Sequence, residues 1–159
     1  MKRIWFFLTV MCCLGLAACG ASGEKSSPGQ EKQAQEWLEK GMAEFQKQEY
    51  DAAIASFNKS VELYPKSAVA YNMLGMGYRF KYNQVRNQEL KDKEIAAFQK
   101  AVDLDPNYWI ALINLGATYY FIGEKAKAAP LFKKALEVNP QHPEKEEIKK
   151  LIAEGEKQT

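Results

Sequence analysis

The sequence predicts an all-α fold, an array of three helix hairpins closed by a seventh helix. Three observations predict it. Apolar residues recur at helical spacing, as in Ile54, Phe57 and Val61, or Leu131, Phe132, Ala135 and Leu136. The pattern returns after thirty-four residues: Gly41 as Gly75, Phe98 as Phe132, Ala101 as Ala135, Leu104 as Val138 and Pro106 as Pro140. A proline (Pro65, Pro106, Pro140) follows each second helix and stops it. Each hairpin buries its apolar side only against its neighbours, so about three units are the minimum for a stable stack.

Composition allows such a stack and little else. The chain has 159 residues, 47% of them hydrophobic and 12% aromatic, enough for one short array with a terminal tail. Lys and Arg number 22 against 20 Asp and Glu, and two of the cations, Lys2 and Arg3, precede an acid-free apolar stretch. Without that stretch the charges balance. Basic residues are interleaved with acids, so nothing draws the chain to nucleic acid or to anionic lipid by charge.

The first element is a leader over residues 1–18. From Ile4 to Ala18 it is apolar except at Thr9 and Gly15. As a helix it would rise about 22 Å, short of the roughly 30 Å of a bilayer core. A basic start, a short apolar run and small residues at its end describe a secretory signal peptide. Its ending, Leu16-Ala17-Ala18-Cys19, resembles the lipobox of bacterial lipoproteins. That resemblance implies lipidation of Cys19 as the new first residue, with two or three acyl chains, enough for stable attachment. Cys12 and Cys13 lack the small residues before them and read as small hydrophobes. The resemblance also implies the bacterial envelope, and Gly20 after the cysteine favours the outer membrane in a Gram-negative host, with the domain in the periplasm. All three cysteines lie at or before position 19, leaving no thiol for a disulfide or metal in the rest of the chain.

Residues 19–32 then read as the lipidated cysteine and a flexible linker. Gly, Ser and Pro dominate Gly20 to Lys32 and no apolar period is present. About thirteen such residues span roughly 20 Å, enough to lift a folded part clear of the headgroups.

The array follows over 33–140, in units of about 34–67, 68–106 and 107–140. Across the middle the spacing is forty-one, from Phe57 to Phe98, Pro65 to Pro106, Leu74 to Leu115 and Gly75 to Gly116, which places seven extra residues between Gly75 and Phe98. Trp37, Gly41, Tyr50, Ala53, Phe57 and Pro65 mark the first unit. Tyr71, Leu74, Gly75, Tyr78, Phe98, Ala101 and Pro106 mark the second; Leu112, Leu115, Gly116, Tyr119, Gly123, Ala128, Phe132, Ala135 and Pro140 mark the third. On these residues, over roughly Ala34 to Pro140, the chain resembles the tetratricopeptide repeat, a helix-turn-helix unit of about thirty-four residues. The resemblance implies a right-handed α-solenoid. Small residues, Gly41 with Ala53 and Gly116 with Ala128, are expected to face one another and let the paired helices approach closely, with aromatics at neighbouring positions filling the gaps around them. Residues 141–159 complete the chain as a capping helix and tail. Pro143 suits its first turn, and Ile148, Leu151 and Ile152 form a narrow apolar stripe on a Lys/Glu-rich helix.

Three features depart from the pattern. Glu94 stands where Ala53 and Ala128 stand in their units, which puts the closeness of the second hairpin in question. The polar stretch Lys81 to Lys93 is expected to form a long turn or extended helix ends, either as a tolerated insertion or as a protrusion that touches a partner. Pro130 falls near the start of a helix, where it is tolerable in the first turn.

In the family that the chain resembles, the first helix of each unit lines a concave groove where peptides or helices dock. Carried over residue by residue, the lining is Leu38, Met42 and Phe45, then Asn72, Met73, Met76, Arg79 and Phe80, then Ile110, Ile113, Asn114, Tyr120 and Phe121. One subclass clamps a terminal carboxylate with Lys, Asn and Arg at five positions, here Leu38, Met42, Met73, Ile110 and Asn114. None is basic, so that binding mode is rejected. The remaining lining is rich in Met and aromatic residues and suits an apolar helix or extended segment.

Catalysis finds no footing. The lone histidine, His142, sits between Gln141 and Pro143 with no second His or Cys to join it, and no glycine-rich loop is placed to cradle a phosphate. The expectation is therefore no enzyme, no metal and no cofactor beyond the covalent lipid on Cys19. The expected role is a membrane-anchored adaptor that binds a protein or peptide partner. A pilotin-like escort of a secretion or pilus component and a self-associating envelope element are the alternatives, and nothing in the chain names the partner.

Overall fold

The computed structural model describes residues 27–157. They form seven helices: α1 (Pro28–Gln46), α2 (Tyr50–Leu63), α3 (Ala68–Val85), α4 (Gln88–Leu104), α5 (Trp109–Phe121), α6 (Lys125–Val138) and α7 (Lys145–Glu156). Helices α1/α2, α3/α4 and α5/α6 pair as hairpins, α2 packs on α3 and α4 on α5, and α7 closes the stack against α6. Among the described residues there is no strand.

Local chemistry sets the helix ends. The first helix starts inside the stretch expected to be linker, at Pro28 rather than after Lys32. Ser27 and Gln30 make a capping box: Ser27 N donates to Gln30 Oε1 at 2.8 Å, and Gln30 N donates to Ser27 Oγ at 3.3 Å. Proline at the first helical position has no amide hydrogen to leave unsatisfied. Composition alone hides this, because Ser and Pro signal a helix start as well as a linker. Ser67 and Asn87 cap α3 and α4 in the same way, accepting from Ala70 N at 3.1 Å and Glu89 N at 2.9 Å. Each hairpin turns on one left-handed residue, Gln48 (φ 63°), Arg86 (φ 54°) or Gly123 (φ 89°). Only the third is glycine, so the first two turns carry about 1–2 kcal/mol of backbone strain each.

A phenyl ring from the second helix fills the close approach within each hairpin. A Cβ built on Gly41 would lie 2.6 Å from the ring of Phe57, one on Gly75 2.6 Å from Phe98, and one on Gly116 2.8 Å from Phe132. Each glycine thus receives a phenyl ring from the second helix, and the alanines Ala53 and Ala128 lie buried in the same clusters. The three rings are almost wholly enclosed, each contributing roughly 1.5–3 kcal/mol of burial. Because the ring supplies the contact, Glu94 does not hold α3 and α4 apart.

The seven extra residues form extended helix ends. Only Arg86 and Asn87 separate α3 from α4, and the pair projects beyond the other hairpins. Pro130 is the sixth residue of α6, past the first turn. Its side is exposed, and the helix continues with one backbone hydrogen bond fewer.

Pro143 lies in the turn ahead of α7, which begins at Lys145. Ile148 is buried, and Leu151 and Ile152 pack with it on Ala128 and Phe132. Gly155 brings α7 against the Lys125 carbonyl and Ala129, with no room for a side chain. Glu154 Oε2 then accepts from Lys125 Nζ and from Tyr120 Oη, each at 2.7 Å. Two further ion pairs run along the exposed surface of α7, Lys149 with Glu146 and Lys150 with Glu147.

Two outcomes follow from this packing. Alanine normally stabilises a helix relative to glycine by about 0.5–1 kcal/mol, but Gly75→Ala should lower stability by about 1–3 kcal/mol, since the Phe98 ring cannot retreat. Thermal melting followed by circular dichroism checks the sign, and a higher Tm would refute the contact. Separately, hydrogen bonds from Lys125 and Tyr120 lower the Glu154 pKa, and the bond to Glu154 raises that of Lys125. The Glu154 contribution is present above the unfolded glutamate pKa of about 4.3 and is lost as pH falls through its lower folded value. The Lys125 contribution is full below about 10.4 and is lost as pH rises through its raised folded value. Amide exchange in α7 should therefore quicken, relative to α2, at both ends of that window. In Glu154→Gln the acid-side change should vanish.

Candidate functional site

The first helices of successive units touch one another. Phe45 of α1 meets Phe80 of α3 edge-on at 5.0 Å between ring centres, and Tyr50 of α2 lies 5.4 Å from both. Between α3 and α5 the link is polar: Asn114 Nδ2 donates to Asn72 Oδ1 at 2.9 Å.

The thirteen candidate groove residues divide by exposure. Met42, Ile110 and Phe121 are exposed, Phe121 at 84%. Phe45, Met73, Met76, Phe80, Ile113 and Tyr120 are half-buried. Phe45 and Met73 also pack against the first core cluster, and Ile113 and Tyr120 against the second. Leu38 and Asn72 are buried, at 5% and 3%, and offer a partner almost no surface.

Arg79 and Asn114 are committed elsewhere. Arg79 Nε donates to Glu94 Oε1 at 2.8 Å, Nη1 to Asn114 Oδ1 at 3.1 Å and to Met76 Sδ at 3.9 Å, and Nη2 to Asn114 O and Thr118 Oγ1, each at 2.7 Å. These contacts occupy all five guanidinium hydrogens. The plane also covers the Phe98 ring at 4.7 Å. Arg79 is therefore a tie between α3, α4 and α5, and it has no donor left for a partner.

Glu94 is the anionic centre of that tie. It is wholly buried, accepts from Arg79 and from Thr118 Oγ1 (2.7 Å) on one oxygen, and pairs with Lys91 through the other. Two cations and a hydroxyl compensate its burial, and among the described residues no buried polar side-chain atom lacks a partner. Sequence reasoning registered Glu94 as a misfit and missed its role. The usable signal was a carboxylate at a small-residue core position, which requires a cation within reach.

Beside this tie the projecting hairpin and the end of α5 enclose a pocket of about 400 Å³, lined by Arg79, Tyr82, Asn83, Arg86, Lys91, Glu94, Thr118, Phe121 and Ile122. Among the described residues no group of three or more His, Cys, Asp or Glu side chains could hold a metal ion. His142 instead lies half-buried, edge-on to Trp109 at 5.2 Å, its Nδ1 accepting from Glu144 N. No described helix is long and apolar enough to cross a membrane, and Cys19 lies outside the described residues.

Comparison with known proteins agrees with this architecture. Tetratricopeptide-repeat family models match residues 34–67 and 109–142, the first and third hairpins. The fold is that of solved tetratricopeptide-repeat domains. The TPR domain of Arabidopsis OM64 superposes with a TM-score of 0.69 at 17% identity, over 79% of this chain and 98% of that one. The TPR2B domain of yeast Sti1, solved as a complex with pHsp70, gives 0.67 at 20% identity, over 80% and 99%. MamA gives 0.59 at 30% identity, over 68% of this chain and 59% of MamA. A search of curated proteins returns no match. Domains of this kind are protein–protein interaction modules that bind peptides.

Removing Glu94 alone should destabilise the chain by about 3–5 kcal/mol, because Arg79 and Lys91 would keep their burial and lose their counter-charge. Urea unfolding of Glu94→Ala measures the loss. The double variant Glu94→Ala with Arg79→Met should recover part of it, since an apolar replacement of a buried pair is often near neutral. A double variant less stable than the sum of the two single changes would contradict the tie.

Proposed function

We propose that this chain, built on tetratricopeptide repeats, is a lipid-anchored adaptor that holds a protein partner at a bacterial membrane through the inner face of its helix array. The observation that carries the reading is the exposed apolar side chains on two of the first helices, Met42 on α1 and Ile110 and Phe121 on α5. Exposed apolar groups on a concave helical surface suit an amphipathic helix or extended segment of another protein. The leader over 1–18 and Leu16-Ala17-Ala18-Cys19 support a diacylglyceryl anchor on Cys19, and Gly20 supports the outer membrane.

A self-associating envelope element is the second reading, favoured by three large apolar residues left exposed at helix ends, Val85, Phe121 and Ile122. Concentration-dependent elution from a sizing column would separate it from the first.

The test is affinity capture from membrane extracts with wild type and the double variant Met42→Lys, Ile110→Lys. Both positions are exposed, so helicity by circular dichroism should not change, whereas Phe80 supports the Phe45–Tyr50 cluster and is a poor choice. Loss of two apolar contacts, each worth roughly 1–3 kcal/mol, should reduce capture at least tenfold. In parallel, Cys19→Ala should release the chain from the membrane fraction. Undiminished capture by the folded double variant would end the groove assignment, and membrane retention of Cys19→Ala would end the lipid assignment.

A further inference from the structure

The pocket between the projecting hairpin and α5 carries an excess of positive charge. Three cations line it, Arg79, Arg86 and Lys91, against one carboxylate, Glu94, whose oxygens are turned to Arg79, Thr118 and Lys91. Arg79 has no hydrogen to spare. Lys91 spends one of its three on Glu94 and holds its ammonium 4.2 Å from the Tyr82 ring centre. Arg86 lies over the same ring at 5.6 Å, and its guanidinium donates to no acceptor among the described residues. Asn83 adds an exposed amide. On the opposite wall stand Phe121 and Ile122, 84% and 40% exposed.

Four of the nine lining residues come from the lengthened hairpin. The lengthened ends of α3 and α4 bring in Tyr82, Asn83, Arg86 and Lys91. A recess walled by protein strengthens the attraction between its cations and an incoming anion relative to open water. Its volume, about 400 Å³, exceeds what one side chain needs and leaves room for a short stretch of polypeptide.

We propose that this pocket takes an acidic side chain of the bound polypeptide, its carboxylate between Lys91, Arg86 and Asn83, with a neighbouring apolar residue against Phe121 and Ile122. The inference rests on the reading of the chain as a peptide binder and adds the chemistry of the ligand. The site is separate from the five clamp positions, none of which is basic.

The test selects binders from a library of random short peptides, fused at their carboxyl ends so that every carboxylate is a side chain, against the full chain. Selected peptides should be enriched in Asp or Glu beside an apolar residue. Exchanging that acid for its amide should weaken binding about tenfold, the scale of a lost charge-assisted hydrogen bond. Arg86→Gln and Phe121→Ser should each do the same to the original peptide. Both positions are exposed and leave the Glu94 tie intact, so circular dichroism should match wild type. Binders that need Met42 and Ile110, carry no acid and ignore Arg86 would overturn the pocket and leave the groove standing. Binders that need the acid and Arg86 but ignore Met42 would support the pocket and overturn the groove. No enrichment at all would overturn both.

Discussion

A glycine on one helix receiving a phenyl ring from the next is the contact on which the array is built. Gly41 with Phe57, Gly75 with Phe98 and Gly116 with Phe132 occupy the same place in successive hairpins. A helix pair usually sits about 8–10 Å apart, and a glycine at the contact removes the side chain that would hold the pair open. The ring then fills the place that a side chain on the glycine would take. At the far end Gly155 repeats the device with backbone in place of a ring, which seats α7 on α6 and covers the last apolar surface.

The middle hairpin keeps this contact and changes what surrounds it. Where the outer units bury Ala53 and Ala128, it buries a carboxylate, and the consequences extend through three helices. Glu94 draws Arg79 from α3 and Thr118 from α5, and Arg79 draws Asn114, which in turn holds Asn72. Replacing such a set with apolar side chains often costs nothing in stability, so stability is a weak account of it. Its geometry is more telling, because three guanidinium bonds from Arg79 to Asn114 and Thr118 of α5 fix the register between the second and third units.

Helix number, the repeat, the cap and the extra residues were legible in the sequence because each leaves a periodic or punctuating mark. Gly75 and Phe98 could be aligned with their counterparts without any coordinates. Which residue comes nearest was less legible: the glycines, the alanines and the aromatics could be assigned to one seam, but spacing along a helix does not say which buried side chain fills the place of the missing Cβ. The groove shows the same limit. Positions carried over from a repeat family assume that side chains there point at solvent, and Met42, Ile110 and Phe121 do. Arg79, Asn72 and Asn114 answer instead to Glu94, a residue on another helix whose demand for a counter-charge no single-helix pattern reveals. The start of α1 was missed for a local reason, since Ser27-Pro28 followed by Gln30 is a cap written in linker composition.

These constraints divide the inner face into two kinds of surface. Where the Glu94 set operates, side chains are fixed and their polar capacity is spent, so the face there acts as a rigid support. Elsewhere lie the exposed side chains of Met42 and Ile110, and at the tip of the long hairpin the Arg86 guanidinium, which rests over Tyr82 and has donors to spare. A rigid support reduces the ordering cost of binding, while unspent groups supply the new contacts. The extra residues therefore matter less as a decoration of the surface than as the means of placing fresh cations beside a tie that has consumed its own.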